Sequence, residues 1–171
     1  ALGVGMGIGL AEGDSLNCVK TTKCHGGQPE RLKGVEAGLA RTSTFILLDA
    51  LFFIIPEIEL GVYGRFQFEP ETETVMGGAK LRYFLMRGDE HQLYSGFVIG
   101  GGYVRYLVNL GESFNNFTDV VEKGPVHLGP NFGYVVMFNK NIGMQFDLLI
   151  PIHFPDFTFH IDLSVGPYFQ F

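Results

Sequence analysis

The sequence predicts an all-β domain, a closed antiparallel barrel of eight strands turned apolar side outward, and three observations predict it. Apolar and polar residues alternate with period two over segments of ten or so residues, the connections between segments alternate between long and short, and the charges in the segments share one side of the alternation. Successive side chains of a strand point to opposite faces, so such alternation sorts each strand into a greasy face and a polar one. The last segment is the cleanest case. Phe159, Ile161, Leu163, Val165, Pro167, Phe169 and Phe171 fall on one face, against His160, Asp162, Ser164, Gly166, Tyr168 and Gln170.

Composition fits. The chain has 171 residues, enough for one domain over 1–171, and its 24 glycines and 17 phenylalanines without a tryptophan suit strands and turns better than helices. A net charge of −6 argues against a nucleic-acid partner, which would need clustered Lys and Arg. The longest apolar run, Phe45 to Ile55, is eleven residues interrupted by Asp49, too short for a membrane-spanning helix. Ala1 opens directly into strand-like sequence, so the chain reads as a mature form or as a piece of a longer protein.

The first strand, Ala1 to Glu12, alternates Leu2, Val4, Met6, Ile8 and Leu10 with small residues, and Ser43 to Ile54 is its partner. After a Pro56-Glu57 turn, Glu57 to Phe68 sets Ile58, Leu60, Val62, Phe66 and Phe68 against Glu59, Tyr63, Arg65 and Gln67. Val75 to Arg87 sets Leu81, Tyr83 and Leu85 against Lys80, Arg82 and Phe84, and turns at Gly88-Asp89-Glu90. Leu93 to Leu110 follows as the fifth strand, with Val98, Val104, Tyr106 and Val108 against Phe97, Tyr103 and Arg105. A loop runs to Gly124, then Pro125 to Phe138 and the Asn139-Lys140-Asn141 turn lead to Ile142 to Phe154. There Met144, Phe146, Leu148, Ile150 and Ile152 face away from Gln145, Asp147 and His153; Thr158 to Phe171 closes the count. Alternating segments of this length split by turns are the signature of a membrane barrel.

Connections after the first, third and fifth strands are long or acidic, and those after the second, fourth and sixth are tight, as in barrels with long outer loops and short periplasmic turns. The last connection, Pro155-Asp156-Phe157, departs from this by being short. Charge placement settles which face is inside. With the apolar faces outward, the interior holds Asp49, Glu59, Arg65, Lys80, Arg82, Arg105, Asp147 and Asp162, four acids and four bases. Eight strands leave an interior just wide enough for side chains, so these ions must pair. A soluble barrel of the lipocalin kind would show the reverse, charges outward around a greasy cavity.

The amphipathic strands, the alternating loops and the final Phe-Gln-Phe resemble the small eight-stranded outer-membrane barrels of Gram-negative bacteria, the group of the OmpA transmembrane domain, OmpX and OmpW. In that group a terminal phenylalanine preceded by apolar residues at every second position is similar to the signal read by the barrel-assembly machinery; here it is carried by Phe169 and Phe171, after Pro167, Val165 and Leu163. The resemblance implies an outer-membrane location amid lipid and lipopolysaccharide, with termini periplasmic and long loops extracellular. It implies no single activity. The leading expectation is a non-enzymatic anchor, adhesion or docking subunit in a larger envelope complex, its lumen plugged by the charged network. A narrow channel for small solutes and a lipid A-modifying enzyme are the alternatives.

Motifs for chemistry are few, and none calls for a cofactor. Cys18 and Cys24 lie close together in the first long loop, where an exported chain is oxidised, so a disulfide is the default reading; a metal site with His25 would be short of a fourth ligand. Gly3 to Gly9 keeps a strict period of two, which is a strand rather than a nucleotide loop. His127, His153 and His160 could stand near the outer rim with Ser113 in a loop, but no spacing ties serine, histidine and acid together, and satisfied interior histidines are the simpler reading. Glu69, Glu71 and Glu73 could bind divalent cations, or form a solvated rim.

Overall fold

In a computed structural model of the protein, the residues described are 1–13, 35–68, 72–109, 118–155 and 157–171. They form eleven strands and no helix: β1 (Leu2–Gly13), β2 (Val35–Ile55), β3 (Ile58–Gln67), β4 (Thr74–Arg87), β5 (His91–Gly102), β6 (Val104–Asn109), β7 (Thr118–Lys123), β8 (Val126–Met137), β9 (Ile142–Leu149), β10 (Ile152–Phe154) and β11 (Thr158–Phe169). Nine of them build the wall. Each of β1 to β4 pairs antiparallel with its successor, β5 pairs with β8, β8 with β9 and β10, these with β11, and β11 with β1. Counting β9 and β10 as one stave interrupted at Ile150-Pro151, the wall is a closed barrel of eight staves. Closure leaves no unpaired sheet edge, the condition for placing strands in hydrocarbon.

The apolar face of every stave points outward. Val62, Val75, Leu163 and Phe52 are each about 60% exposed, and with Met6, Ile8, Leu85, Phe97, Ile99 and Phe146 they make a continuous apolar exterior. Water does not tolerate a patch of that extent on a soluble domain. Among the described residues, register shifts at four places adjust the alternation, and two of them show how. Between Met6 and Ile8 of β1 the partner strand carries one residue too many, from Thr44 to Arg41, and Thr42 and Ser43 both turn inward. Between Phe84 and Met86 of β4 the extra residue is Leu85, and both Leu85 and Met86 face out.

Three expectations need correction. The fifth strand does not run unbroken from Leu93 to Leu110: it leaves the wall after Gly102, and its distal half is β6. The stretch read as loop up to Gly124 contains β7, which pairs with β6 from Val104↔Lys123 to Asn109↔Thr118. The register of the fifth strand is also opposite to that read from its pattern, with Val98 fully buried and Phe97 outward. Both faces of Leu93 to Gly102 are largely apolar, so alternation alone has no preference there, and pairing with β4 and β8 decides it.

The seam depends on small residues. A Cβ on Gly166 would stand 1.9 Å from the Leu2 carbonyl oxygen on β1. Gly166→Val is expected to push β11 off β1 and lower stability by about 1–3 kcal/mol. Urea unfolding of the detergent-refolded protein, followed by circular dichroism because the chain has no tryptophan, checks this; an unchanged midpoint contradicts the close approach.

Candidate functional site: the ionic interior

Reading up β3 from its turn with β2 toward the end carrying the long connections, the inward positions are Glu59, Gly61, Tyr63, Arg65 and Gln67. They pass through the layers of the interior in order, from the turn end to the loop end.

The turn-end layer is an ion cluster centred on Asp147 of β9. Lys80 Nζ lies 3.0 Å from both Asp147 Oδ2 and Asp49 Oδ2. The Arg82 guanidinium bonds Asp49, reaches Asp147 Oδ2 at 3.4 Å and Glu59 Oε2 at 3.4 Å, and stacks over the Tyr94 ring. Neutral donors complete two of the three carboxylates: Tyr94 OH (2.5 Å), Asn131 Nδ2 (2.6 Å) and Gln145 Nε2 (3.0 Å) donate to Asp147, and Tyr168 OH (2.9 Å) to Glu59, whereas Asp49 Oδ1 has no hydrogen-bond partner among the described residues. Three carboxylates against two cations leave one negative charge, spread over these donors. Phe84, Tyr94, Val135, Met137 and Tyr168, with Phe53, pack this end of the barrel.

Above it lies an apolar belt of Phe45, Leu47, Tyr63, Val98 and Leu149. The Tyr63 hydroxyl bonds His127 Nε2, and the His127 ring packs against His153. His127, His153 and His160 are all fully buried inside the wall, not on an outer rim. The interior reading suits His160, which is fully engaged. Neither ring nitrogen of His153 has a hydrogen-bond partner among the described residues.

The loop-end layer is built on Arg65. Its guanidinium grips Asp162 through two bonds, Nε to Oδ2 at 2.7 Å and Nη2 to Oδ1 at 3.1 Å, donates to Gln67 Oε1 at 2.9 Å, and lies over the Phe45 ring. Two-pronged Arg–carboxylate pairs are the strong, orientation-specific form of the ion pair. His160 Nε2 is 2.6 Å from Asp162 Oδ1, and its Nδ1 is 2.8 Å from the Tyr106 hydroxyl. A carboxylate only accepts, so Nε2 donates to Asp162, while Nδ1 pairs with the Tyr106 hydroxyl. The wiring has the order of a nucleophile–base–acid relay. All three side chains are buried, however, and its tyrosine belongs to β6, so the line joins the β6–β7 hairpin to the wall.

Asp49, Glu59, Arg65, Lys80, Arg82, Asp147 and Asp162 thus lie inside, and Arg65 and Lys80 have no exposure at all. Arg105 does not join them, which corrects the eightfold list. It sits on β6, about a third exposed, paired with Glu122 of β7 at 2.7 Å. Two causes combine: the register of Leu93 to Gly102 turns the side of Phe97 outward, so Arg105, on that same side of the alternation, would not have faced in, and the chain leaves the wall after Gly102. Gln145 and Tyr168 share the side of the alternation that carries Asp147 and Asp162, which marks them for the network, whereas Tyr94 and Asn131 share a side with no charge of their own strand and are brought in by the tertiary structure. No group of His, Cys, Asp and Glu able to hold a metal occurs among the described residues. The expected Cys18–Cys24 disulfide, the alternative with His25, and Ser113, Glu69 and Glu71 lie outside the described residues; Glu73 offers its backbone carbonyl to Arg105.

No family model and no curated relative matches the sequence. Among solved structures, the fold is similar to Neisserial surface protein A, with a TM-score of 0.54 at 12% identity over 99% of this chain and 97% of that one. Weaker likenesses are to the N-terminal β-barrel domain of Pseudomonas aeruginosa OprF (TM-score 0.47, 10% identity, 96% and 97% covered) and to Ail, the attachment invasion locus protein of Yersinia pestis (0.41, 13%, 99% and 98%). At these identities the likeness is one of fold: the chain has the architecture of the small eight-stranded outer-membrane barrels.

Removing one member of the turn-end cluster strands the others without water. Asp147→Ala and Arg82→Ala are each expected to destabilise the barrel by about 3–5 kcal/mol. Melting in detergent checks this, and an unshifted transition for either variant contradicts the buried network.

Proposed function

We propose that the protein is a non-enzymatic barrel of the bacterial outer membrane, an anchor that holds its loop-end segments at the membrane face for attachment or docking to other envelope components. In this reading the termini are periplasmic, the long connections are extracellular, lipid and lipopolysaccharide surround the wall, and the barrel-assembly machinery inserts it through Phe169 and Phe171. The apolar exterior supports the membrane setting, and the barrel architecture supports the outer one, because strands cross a bilayer only when closed on themselves.

One observation carries the choice of anchor over channel. The interior is filled layer by layer, by the aromatic packing at the turn end, the Asp147 cluster, the apolar belt, the Arg65 pair and the β6–β7 hairpin. Ions held against one another in this way do not offer a hydrated path. A lipid-modifying reaction is also disfavoured, since the one relay-like line among the described residues, Tyr106–His160–Asp162, is sealed from both lipid and water.

Two experiments test the reading. In planar bilayers the reconstituted protein is expected to give no steady single-channel current; a reproducible conductance would favour the narrow channel. Photo-crosslinking from positions in the 14–34 connection in native membranes is expected to capture envelope components, and a chain whose 14–34 segment is replaced by a short turn is expected to fold but lose them. Retained captures would sink the docking role of that segment.

A further inference from the structure

We propose that the β6–β7 hairpin is a hinged lid over the loop end of the barrel, latched shut on Arg65. Its backbone argues for a hinge. Below the bend the last pair of the β5–β8 ladder is Gly101↔Val126, and above it the first pair of the β6–β7 ladder is Val104↔Lys123, three residues further along each strand. No residue is inserted or lost, so β5–β6 and β7–β8 are one continuous two-stranded ribbon that has been bent. The bend falls where both strands carry a glycine at positive φ, Gly102 at 123° and Gly124 at 150°, conformations closed to most side chains. A ribbon bent at two such residues can straighten without breaking a pair within it. Upright, the hairpin would extend β5 and β8 beyond the wall. Folded over, it crosses the mouth.

Its contacts argue for a latch. Among the described residues the hairpin meets β2 through one backbone bridge, Thr42↔Tyr106, against six pairs within itself. Two further ties, each made through side chains of the wall, converge on one residue. The Tyr106 hydroxyl reaches His160, whose other nitrogen is on Asp162, the carboxylate held by Arg65; the Gln67 amide donates to the Arg105 carbonyl at 2.8 Å while its oxygen accepts from Arg65. Arg65 therefore holds the lid at adjacent residues of β6 through two independent arms. Arg105 adds a rim contact to the Glu73 carbonyl at 3.2 Å. Beneath these ties Val104, Tyr106, Val108 and Val121 pack on Ala11 and Met76, the apolar seal that water would enter on opening.

The test uses the full chain refolded in detergent, with Cys18→Ser and Cys24→Ser removing the native thiols and Val121→Cys as a reporter on the sealed face. A charged maleimide labels it at a rate set by how often the face opens. Tyr106→Phe with Gln67→Glu removes the hydroxyl and the amide donor while leaving Arg65 its acceptor, and is expected to speed labelling about tenfold, the loss of two hydrogen bonds. Gly102→Ala, unable to keep the bend, is expected to do the same. Val98→Cys, buried lower in the barrel, reports on general loosening and is expected to stay unlabelled in every background. An unchanged rate with the latch variant overturns the latch, an unchanged rate with Gly102→Ala overturns the hinge, and a parallel rise at Val98→Cys overturns the lid altogether.

Discussion

Asp147 is the point on which the rest of this structure depends. A carboxylate enclosed in a wall whose outside is hydrocarbon-like can reach neither water nor a counter-ion in solution, so its stabilising partners must come from the protein itself. It takes them from three other strands, with Lys80 and Arg82 of β4, Tyr94 of β5 and Asn131 of β8, and from Gln145 on its own strand β9. Each bond is satisfied in one register only, and a shift of one residue would turn the partner side chain out into the apolar face. The ionic cluster therefore does more than tolerate burial. Through Lys80 and Arg82 it joins β4 to Asp147 of β9 and to Asp49 of β2 across the lumen, where no backbone hydrogen bond can reach.

Glycine makes this possible by leaving space for the partners of the cations: a Cβ on Gly7 would run into Asp162 and His160, and one on Gly133 into the Tyr94 ring. The Arg65 pair repeats the arrangement at the other end with fewer members, joining β3 to β11 across the closing half of the barrel. Between the two layers the belt of Phe45, Leu47, Tyr63, Val98 and Leu149 keeps the ions in separate groups. The interior thus resembles a soluble core in density and an ion-pair network in chemistry, while the exterior does the work that a core does in water: its apolar area is removed from water by lipid instead of by folding alone.

Much of this was legible in the chain. The eight staves, their outward faces at Leu2–Leu10, Ile58–Phe68, Ile142–Ile152 and Phe159–Phe169, and seven of the eight interior charges follow from period-two alternation, because every charged side chain in those stretches falls on the face opposite the apolar run, even where an apolar residue such as Leu149 also turns inward. Where both faces were apolar, as in Leu93 to Gly102, the pattern carried no information about direction, and Val98 and Phe97 were read in reverse. The hairpin was hidden for a different reason. Gly100-Gly101-Gly102 and Gly124-Pro125 announce irregular backbone, but a glycine permits a bend without specifying its angle, so Arg105 and Tyr106 were placed as if the strand continued.

By itself, then, the sequence determined that these strands close with grease outward and ions inward, since a period of two admits only that sorting and a buried charge only that remedy. Which carboxylate meets which cation, and that β6 and β7 fold across the mouth to meet Arg65, His160 and Asp162, was decided by the tertiary structure. Those partners lie as far apart as 97 residues along the chain, and only the curvature and register of a closed barrel bring them within hydrogen-bond reach.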